Sequence, residues 1–133
     1  MALFAASRHG FRKIVSVDIS QNLIDRAKRN LATYRKKLRC EDVQFLVCGV
    51  EDFVIPDTST IMYLFNPADA SVLTLVMGHI MQSLARRPRS MKLIYYNPKW
   101  AAELEESFPL QLERRLVFKH WGLYRGHLPL LFD

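Results

Sequence analysis

Short runs of β-branched and aromatic residues alternate along this chain with stretches whose apolar residues recur every three or four positions. Lys13-Ile-Val-Ser-Val-Asp18 is such a run and predicts a buried strand. After it, Leu23, Ile24, Ala27, Leu31, Tyr34 and Leu38 fall on one helical stripe, with Arg26, Arg29, Lys36 and Lys37 on the other face. Ser20 stands where that helix needs an N-cap. Residues 43–48 and 59–65 predict the next two strands, the second ended by Asn66-Pro67. A helix follows, with Leu73, Val76, Met77, Ile80, Met81 and Leu84 as its apolar stripe, the methionines read as core packing. Residues 91–96 predict a fourth strand, again ended by Asn-Pro at 97–98. Residues 1–9 read as the tail of a helix stopped by Gly10, and 100–108 as a short helix. Residues 112–121 and 123–132 form a candidate antiparallel pair around Gly122 or Gly126, with Pro129 weakening the last strand or placing it at an edge.

Strand alternating with helix implies a parallel sheet with right-handed crossovers and helices on both faces. Ligands of such sheets bind beyond the carboxyl ends of the strands. That directs attention to Asp18, to residues 49–53 and to the two Asn-Pro pairs.

Composition adds little beyond a globular class. Of 133 residues, 50% are hydrophobic and 24% charged, enough for one domain with a core of its own. No apolar run reaches the ~20 residues of a membrane span. The start, Met-Ala-Leu-Phe-Ala-Ala-Ser, is too short for a signal peptide, and its basic residues follow rather than precede it, which predicts a cytoplasmic protein. Cys40 and Cys48 read as reduced, packed thiols, and no zinc-ligand spacing occurs. The net charge of +6 is uneven: residues 1–39 hold ten Lys/Arg against two Asp, and residues 40–85 hold six acidic residues and no Lys or Arg. The favoured reading is a solvated basic helix face. A nucleic-acid surface is disfavoured, because the basic residues are not interleaved with aromatics on which bases could stack.

The residues at the strand ends carry a resemblance. Val17-Asp18-Ile19-Ser20, followed by Leu23-Ile24, Ala27 and Asn30, resembles the second-strand motif of class I S-adenosylmethionine-dependent methyltransferases. Cys48-Gly-Val-Glu-Asp-Phe53 stands in the place of the third-strand motif, and Leu64-Phe-Asn-Pro67 in that of the fourth. The similarity covers nearly the whole chain and rests on order and spacing. It implies an α/β, Rossmann-like methyltransferase sheet, mostly parallel with a C-terminal antiparallel pair. It also implies a single domain over residues 1–133 that is incomplete and truncated at its N-terminus.

By that resemblance Asp18 binds the ribose of S-adenosylmethionine and Ile19 flanks the adenine. Val50 adds a backbone N–H and an apolar contact, and Glu51 (with Asp52) replaces an adenine-binding carboxylate at the position held by Gly49. The alternative for Glu51 and Asp52 is a solvent-facing turn. Asn66-Pro67-Ala68-Asp69 is similar to the Asn-Pro-Pro-aromatic motif that orients an acceptor nitrogen, which makes Asn66 and Pro67 the candidate catalytic pair. The alternative is a strand terminator that opens the next helix. Ala68 and Asp69 replace the second Pro and the aromatic, so the motif's platform for a planar substrate is missing. Asp18 and Asn66 are expected to face one cleft. His79 reads as a packed histidine rather than a base.

The family's acidic Gly-x-Gly loop has no counterpart, since glycine occurs only at 10, 49, 78, 122 and 126. The same absence argues against nicotinamide-binding Rossmann enzymes and P-loop nucleotidases. The leading expectation is methyl transfer from S-adenosylmethionine to an unidentified acceptor, with this chain inactive or weakly binding alone. The first alternative is a non-catalytic methyltransferase-like remnant or interaction module, and the second a basic nucleic-acid-binding protein. In the family sheet the first strand lies between those ending at Asp18 and Asn66. Its absence leaves sheet edges through which the chain is expected to self-associate.

Overall fold

The computed structural model describes residues 9–34, 38–65, 69–108, 112–115 and 130–132. The chain forms two compact units, 1–53 and 54–133.

In the first unit, β1 (Lys13–Asp18) and β2 (Asp42–Val47) pair in parallel from Lys13↔Asp42 to Asp18↔Val47, and α1 (Gln21–Tyr34) crosses between them and packs on both. The Ser20 carbonyl accepts from Ile24 N–H at 3.1 Å and its hydroxyl from Leu23 N–H at 3.4 Å, so Ser20 caps α1 as expected. Among the described residues of this unit, Ile24 and Cys40 are the buried hydrophobics. Two expectations are corrected. No residue of β1 is fully buried, and of the α1 stripe Ile24 alone is buried, Leu23 being 52% exposed and Tyr34 also exposed. Two strands about 4.8 Å apart cannot cover the flank of a helix ~10 Å wide, so a single ridge is buried. Both cysteines are free, as expected, with Cys40 Sγ donating to the Asp42 carbonyl at 3.4 Å.

In the second unit, β3 (Ile61–Phe65), β4 (Lys92–Tyr96), β5 (Leu112–Arg115) and β6 (Leu130–Phe132) form one sheet in the order β3-β4-β6-β5. β3 and β4 are parallel and in register from Ile61↔Lys92 to Phe65↔Tyr96. β6 runs antiparallel to both β4 and β5, with an irregularity between Leu112 and Arg114. The antiparallel pair was legible in the sequence, but β6 lies between β4 and β5 rather than at an edge. It begins at Leu130, and Pro129 lies outside the described residues. The expected turn glycines, 122 and 126, and the helix tail over 1–8 lie outside the described residues.

α2 (Ala70–Arg86) and α3 (Ala101–Ser107) touch each other. The buried residues among those described in this unit are Leu73, Val76, Met77, Ile80 and Ser83 of α2, Leu93 and Tyr95 of β4, Ile55 and Leu104. The expected α2 stripe is corrected at its end: Met81 is exposed and Ser83 is fully buried. A polar residue can take that place because its partners are present. Ser83 Oγ donates to the Ile55 carbonyl at 3.3 Å and accepts from Arg89 Nη2 at 2.8 Å. Arg89 also donates to the carbonyls of Ser59 (2.6 Å), Ser83 (3.0 Å) and Arg87 (2.9 Å), while Arg86 grips Asp57 Oδ1 through Nε (3.1 Å) and Nη2 (3.0 Å). The arginines that close α2 thus bind loop 55–59 to the helix.

Candidate functional site at the strand ends

Asp18 is the last residue of β1. Its Oδ1 accepts the Ser20 N–H at 2.8 Å, a local bond that turns the chain toward α1. Its Oδ2 has no hydrogen-bond partner among the described residues, and Asp18 joins none of their ion pairs. The half-buried carboxylate therefore does one structural task and keeps one oxygen open. Ile19 follows it and is 78% exposed.

The same end of the sheet carries the segment after β2. Cys48 N–H donates to the Asp18 carbonyl at 3.3 Å, which holds residue 48 beside Asp18. The chain then turns: the Gly49 carbonyl accepts from Asp52 N–H and the Val50 carbonyl from Phe53 N–H, both at 3.3 Å. The Val50 N–H makes no bond among the described residues. The Glu51 carboxyl group folds back over Gly49 and occupies the space that a side chain at 49 would fill. Asp52 is exposed, and its own carboxylate has no partner among the described residues. Asp18, Ile19, Val50 and Glu51, four residues singled out from the sequence, are thus gathered at one end of the β1–β2 pair.

Asn66 and Pro67 lie outside the described residues, and with them the expectation that Asn66 shares a cleft with Asp18. Their neighbours are placed. Asp69 is the N-cap of α2, its Oδ1 accepting from Val72 N–H at 2.9 Å and the Ser71 hydroxyl at 2.6 Å. The Ser71 hydroxyl first, and then the Val72 N–H, hold the Asp69 carboxyl below its ordinary range. Asp69 therefore opens the helix. Before the motif, Phe65 ends β3 and stacks on Tyr96, the last residue of β4, with centroids 5.6 Å apart and planes 19° from parallel. Nothing in the apolar pattern marked this pair, because its register becomes visible only once the strands are aligned.

Burial, and then the Tyr96 phenol, push the Tyr63 phenol above its ordinary range, and burial does the same at Tyr95, whose Oη accepts the Trp100 N–H at 3.4 Å. His79 lies on α2 with a buried Nδ1 that has no partner among the described residues, as has Trp100 Nε1. No group of His, Cys, Asp and Glu suited to a metal ion occurs among the described residues. No helix of the described residues is long and apolar enough to cross a membrane.

No protein-family model matches the chain, and no curated protein matches its sequence. Solved structures do match its fold. A ribosomal protein L11 methylase from Lactobacillus delbrueckii subsp. bulgaricus superposes with a TM-score of 0.64 at 13% identity, over 99% of this chain and 63% of its own. An rRNA methylase from Streptococcus thermophilus matches with a TM-score of 0.55 at 13% identity, over 91% of this chain and 72% of its own. A Streptococcus mutans protein described as a methyltransferase, in complex with SAH, matches with a TM-score of 0.54 at 12% identity, over 90% of this chain and 74% of its own. The chain thus spans under two thirds of the length of the L11 methylase. With these likenesses, the parallel pairs and the helices between them identify the fold as that of class I S-adenosylmethionine-dependent methyltransferases.

Proposed function

We propose that the carboxyl ends of β1 and β2 hold the adenosine half of S-adenosylmethionine and that the chain serves methyl transfer to an acceptor still to be identified. The observation that carries this reading is the half-buried Asp18 carboxylate, with one oxygen committed to Ser20 and the other open, in a fold shared with a structure holding SAH. Asp18 accepts hydrogen bonds from the ribose hydroxyls. Ile19 and Val50 supply apolar surface to the adenine, the Val50 N–H donates to it, and Glu51 unfolds from Gly49 to accept from the exocyclic amine. S-adenosylmethionine, when bound, supplies a methyl group on a sulfonium centre. Asn66 and Pro67 orient the acceptor, so their contribution is positioning rather than proton transfer.

The test is calorimetric titration of the chain with S-adenosylmethionine, beside the Asp18→Ala and Ser20→Ala variants. Binding lost in the first variant and kept in the second supports the reading. Equal affinity in all three removes Asp18 from the site. A second reading is favoured by one sequence feature, the lack of any Gly-x-Gly pair. In it the chain is a methyltransferase-like module without turnover. Cofactor binding without methylation of any acceptor in a cell extract supports that reading, and measured turnover ends it.

A further inference from the structure

From Ala70 to Ala85 the chain carries no Asp, Glu, Lys or Arg, although α2 has a solvent face as well as a buried one. The solvent face of a helix is ordinarily charged, and an uncharged one marks a surface that something covers. On this face Leu75 and Met81 are each 40% exposed, with Thr74 and Gln82 exposed beside them. At 3.6 residues per turn, Gly78 lies opposite the buried Leu73, Val76 and Ile80, at the centre of the solvent face. A side chain at 78 would meet nothing within 4 Å, and the backbone there is ordinary helix. No contact among the described residues therefore calls for glycine, the poorest helix former after proline.

We propose that this face of α2 binds α2 of a second copy, antiparallel, with the two-fold axis at Gly78. Residues equally far from the axis on either side meet across it. Leu75 of each copy then meets Met81 of the other, which covers the two exposed apolar side chains of the helix. Thr74 meets Gln82. Asp69, whose capping bonds use Oδ1, meets Arg87, which is exposed and joins no ion pair among the described residues. Charge pairs at such a rim fix register more than affinity. A glycine at the crossing lets the axes approach to about 8 Å, the close end of helix packing. A lipid surface or an unrelated protein gives no reason for a pattern that is self-complementary about one residue. A face ~25 Å long and ~10 Å wide is small beside a standard interface, so the dimer is expected to be weak, micromolar or above. The contact depends neither on methyl transfer nor on open strand edges.

The experiment is disulfide trapping of the full chain in a Cys48→Ser background, where the remaining Cys40 is buried. Two cysteines on the axis fall within the about 4.4–6.8 Å that a disulfide spans. Gly78→Cys alone is expected to cross-link. Thr74→Cys and Gln82→Cys should each cross-link poorly alone and readily when mixed. Sedimentation should show a reversible dimer by millimolar concentration. Gly78→Lys meets no internal clash and places like charges across the axis. It should remain folded by circular dichroism and raise the dissociation constant about a hundredfold or more. A monomer at millimolar concentration, a dimer unchanged by Gly78→Lys, or cross-linking of Thr74→Cys alone as efficient as that of the mixture overturns the proposal. So does binding to phosphatidylcholine vesicles that Gly78→Lys abolishes, since the face then belongs to a membrane.

Discussion

The amide N–H of Cys48 donates to the main-chain carbonyl of Asp18 at 3.3 Å, one residue past the last register pair, Asp18↔Val47. The end of β1 and the turn after β2 are thereby fixed to each other before any ligand arrives. Asp18→Ala is therefore expected to weaken S-adenosylmethionine by about 1–3 kcal/mol, the worth of charge-assisted hydrogen bonds, with a modest effect on melting. Ser20→Ala removes the cap hydroxyl alone, and should lower the melting midpoint while leaving affinity unchanged. Calorimetry and thermal melts on the two variants separate these outcomes.

Gly49 is covered by the carboxyl group of Glu51, and its φ lies outside the left-handed region. Gly49→Ala must displace only the end of an exposed, flexible side chain, so stability should change by no more than about 0.5 kcal/mol. If Glu51 serves the cofactor, Gly49→Ala and Glu51→Ala should weaken binding, and the double variant should be no weaker than Glu51→Ala alone. Independent, additive losses would show that Gly49 acts on the ligand directly.

Arg89 donates through three nitrogens to the carbonyls of Pro56, Ser59, Ser83 and Arg87 and to the Ser83 hydroxyl. Arg89→Ala leaves part-buried acceptors unpaired and should cost about 1.5–3 kcal/mol in a denaturant melt. Arg89→Lys should recover little, because an ammonium cannot reproduce the planar fork. Arg86→Ala, at a half-exposed ion pair, should cost less.

What was legible in the sequence is what local pattern controls. The strand over Lys13–Asp18 matches its expected bounds, and those over Ile61–Phe65 and Lys92–Tyr96 differ by one or two residues, because β-branched and aromatic runs bounded by Asp or Asn-Pro have few other solutions. That Asp18, Ile19, Val50 and Glu51 lie together at the carboxyl ends of β1 and β2 was legible because strand order and polarity put them there. What escaped depends on partners far away in sequence. Ser83 is buried in place of Met81 because Ile55 and Arg89 satisfy its hydroxyl, and no helical period contains that information. Leu23 and Tyr34 are exposed because their burial requires a sheet wider than two strands. The Phe65–Tyr96 stack needed the register of two strands 31 residues apart.

Asp69 sets a pH dependence whose sign follows from its hydrogen bonds. Its carboxyl is held below its ordinary range, so the native state favours the ionised form. The stability it contributes is fully present above the ordinary carboxylate range and is lost as pH falls through the lowered native value. Asp69→Asn keeps a capping oxygen without a titrating group. Melting midpoints measured downward from neutral pH should fall less steeply for Asp69→Asn than for the wild type. Parallel curves would show that other carboxylates govern the acid limb.

The last expectation concerns strand edges. β1 pairs with β2 through six register positions and β3 with β4 through five, and among the described residues neither β1 nor β3 has a second partner. On β3 itself Tyr63 and Phe65 remain exposed, so polar backbone and apolar side chains are uncovered together. Each backbone group left unpaired where water is partly excluded costs about 1–3 kcal/mol, and an open parallel strand is a template for association. A fused segment carrying a strand and an acidic Gly-x-Gly loop, the elements that the resemblance adds to this fold, should satisfy such groups. It should also bring backbone amides to the methionine half of the cofactor, which Asp18 and Val50 do not reach. The fusion is therefore expected to raise the melting midpoint, suppress self-association in sedimentation and tighten S-adenosylmethionine binding together. If residues 1–133 bind the cofactor as a monomer as tightly as the fusion does, β1 and β3 need no further strand.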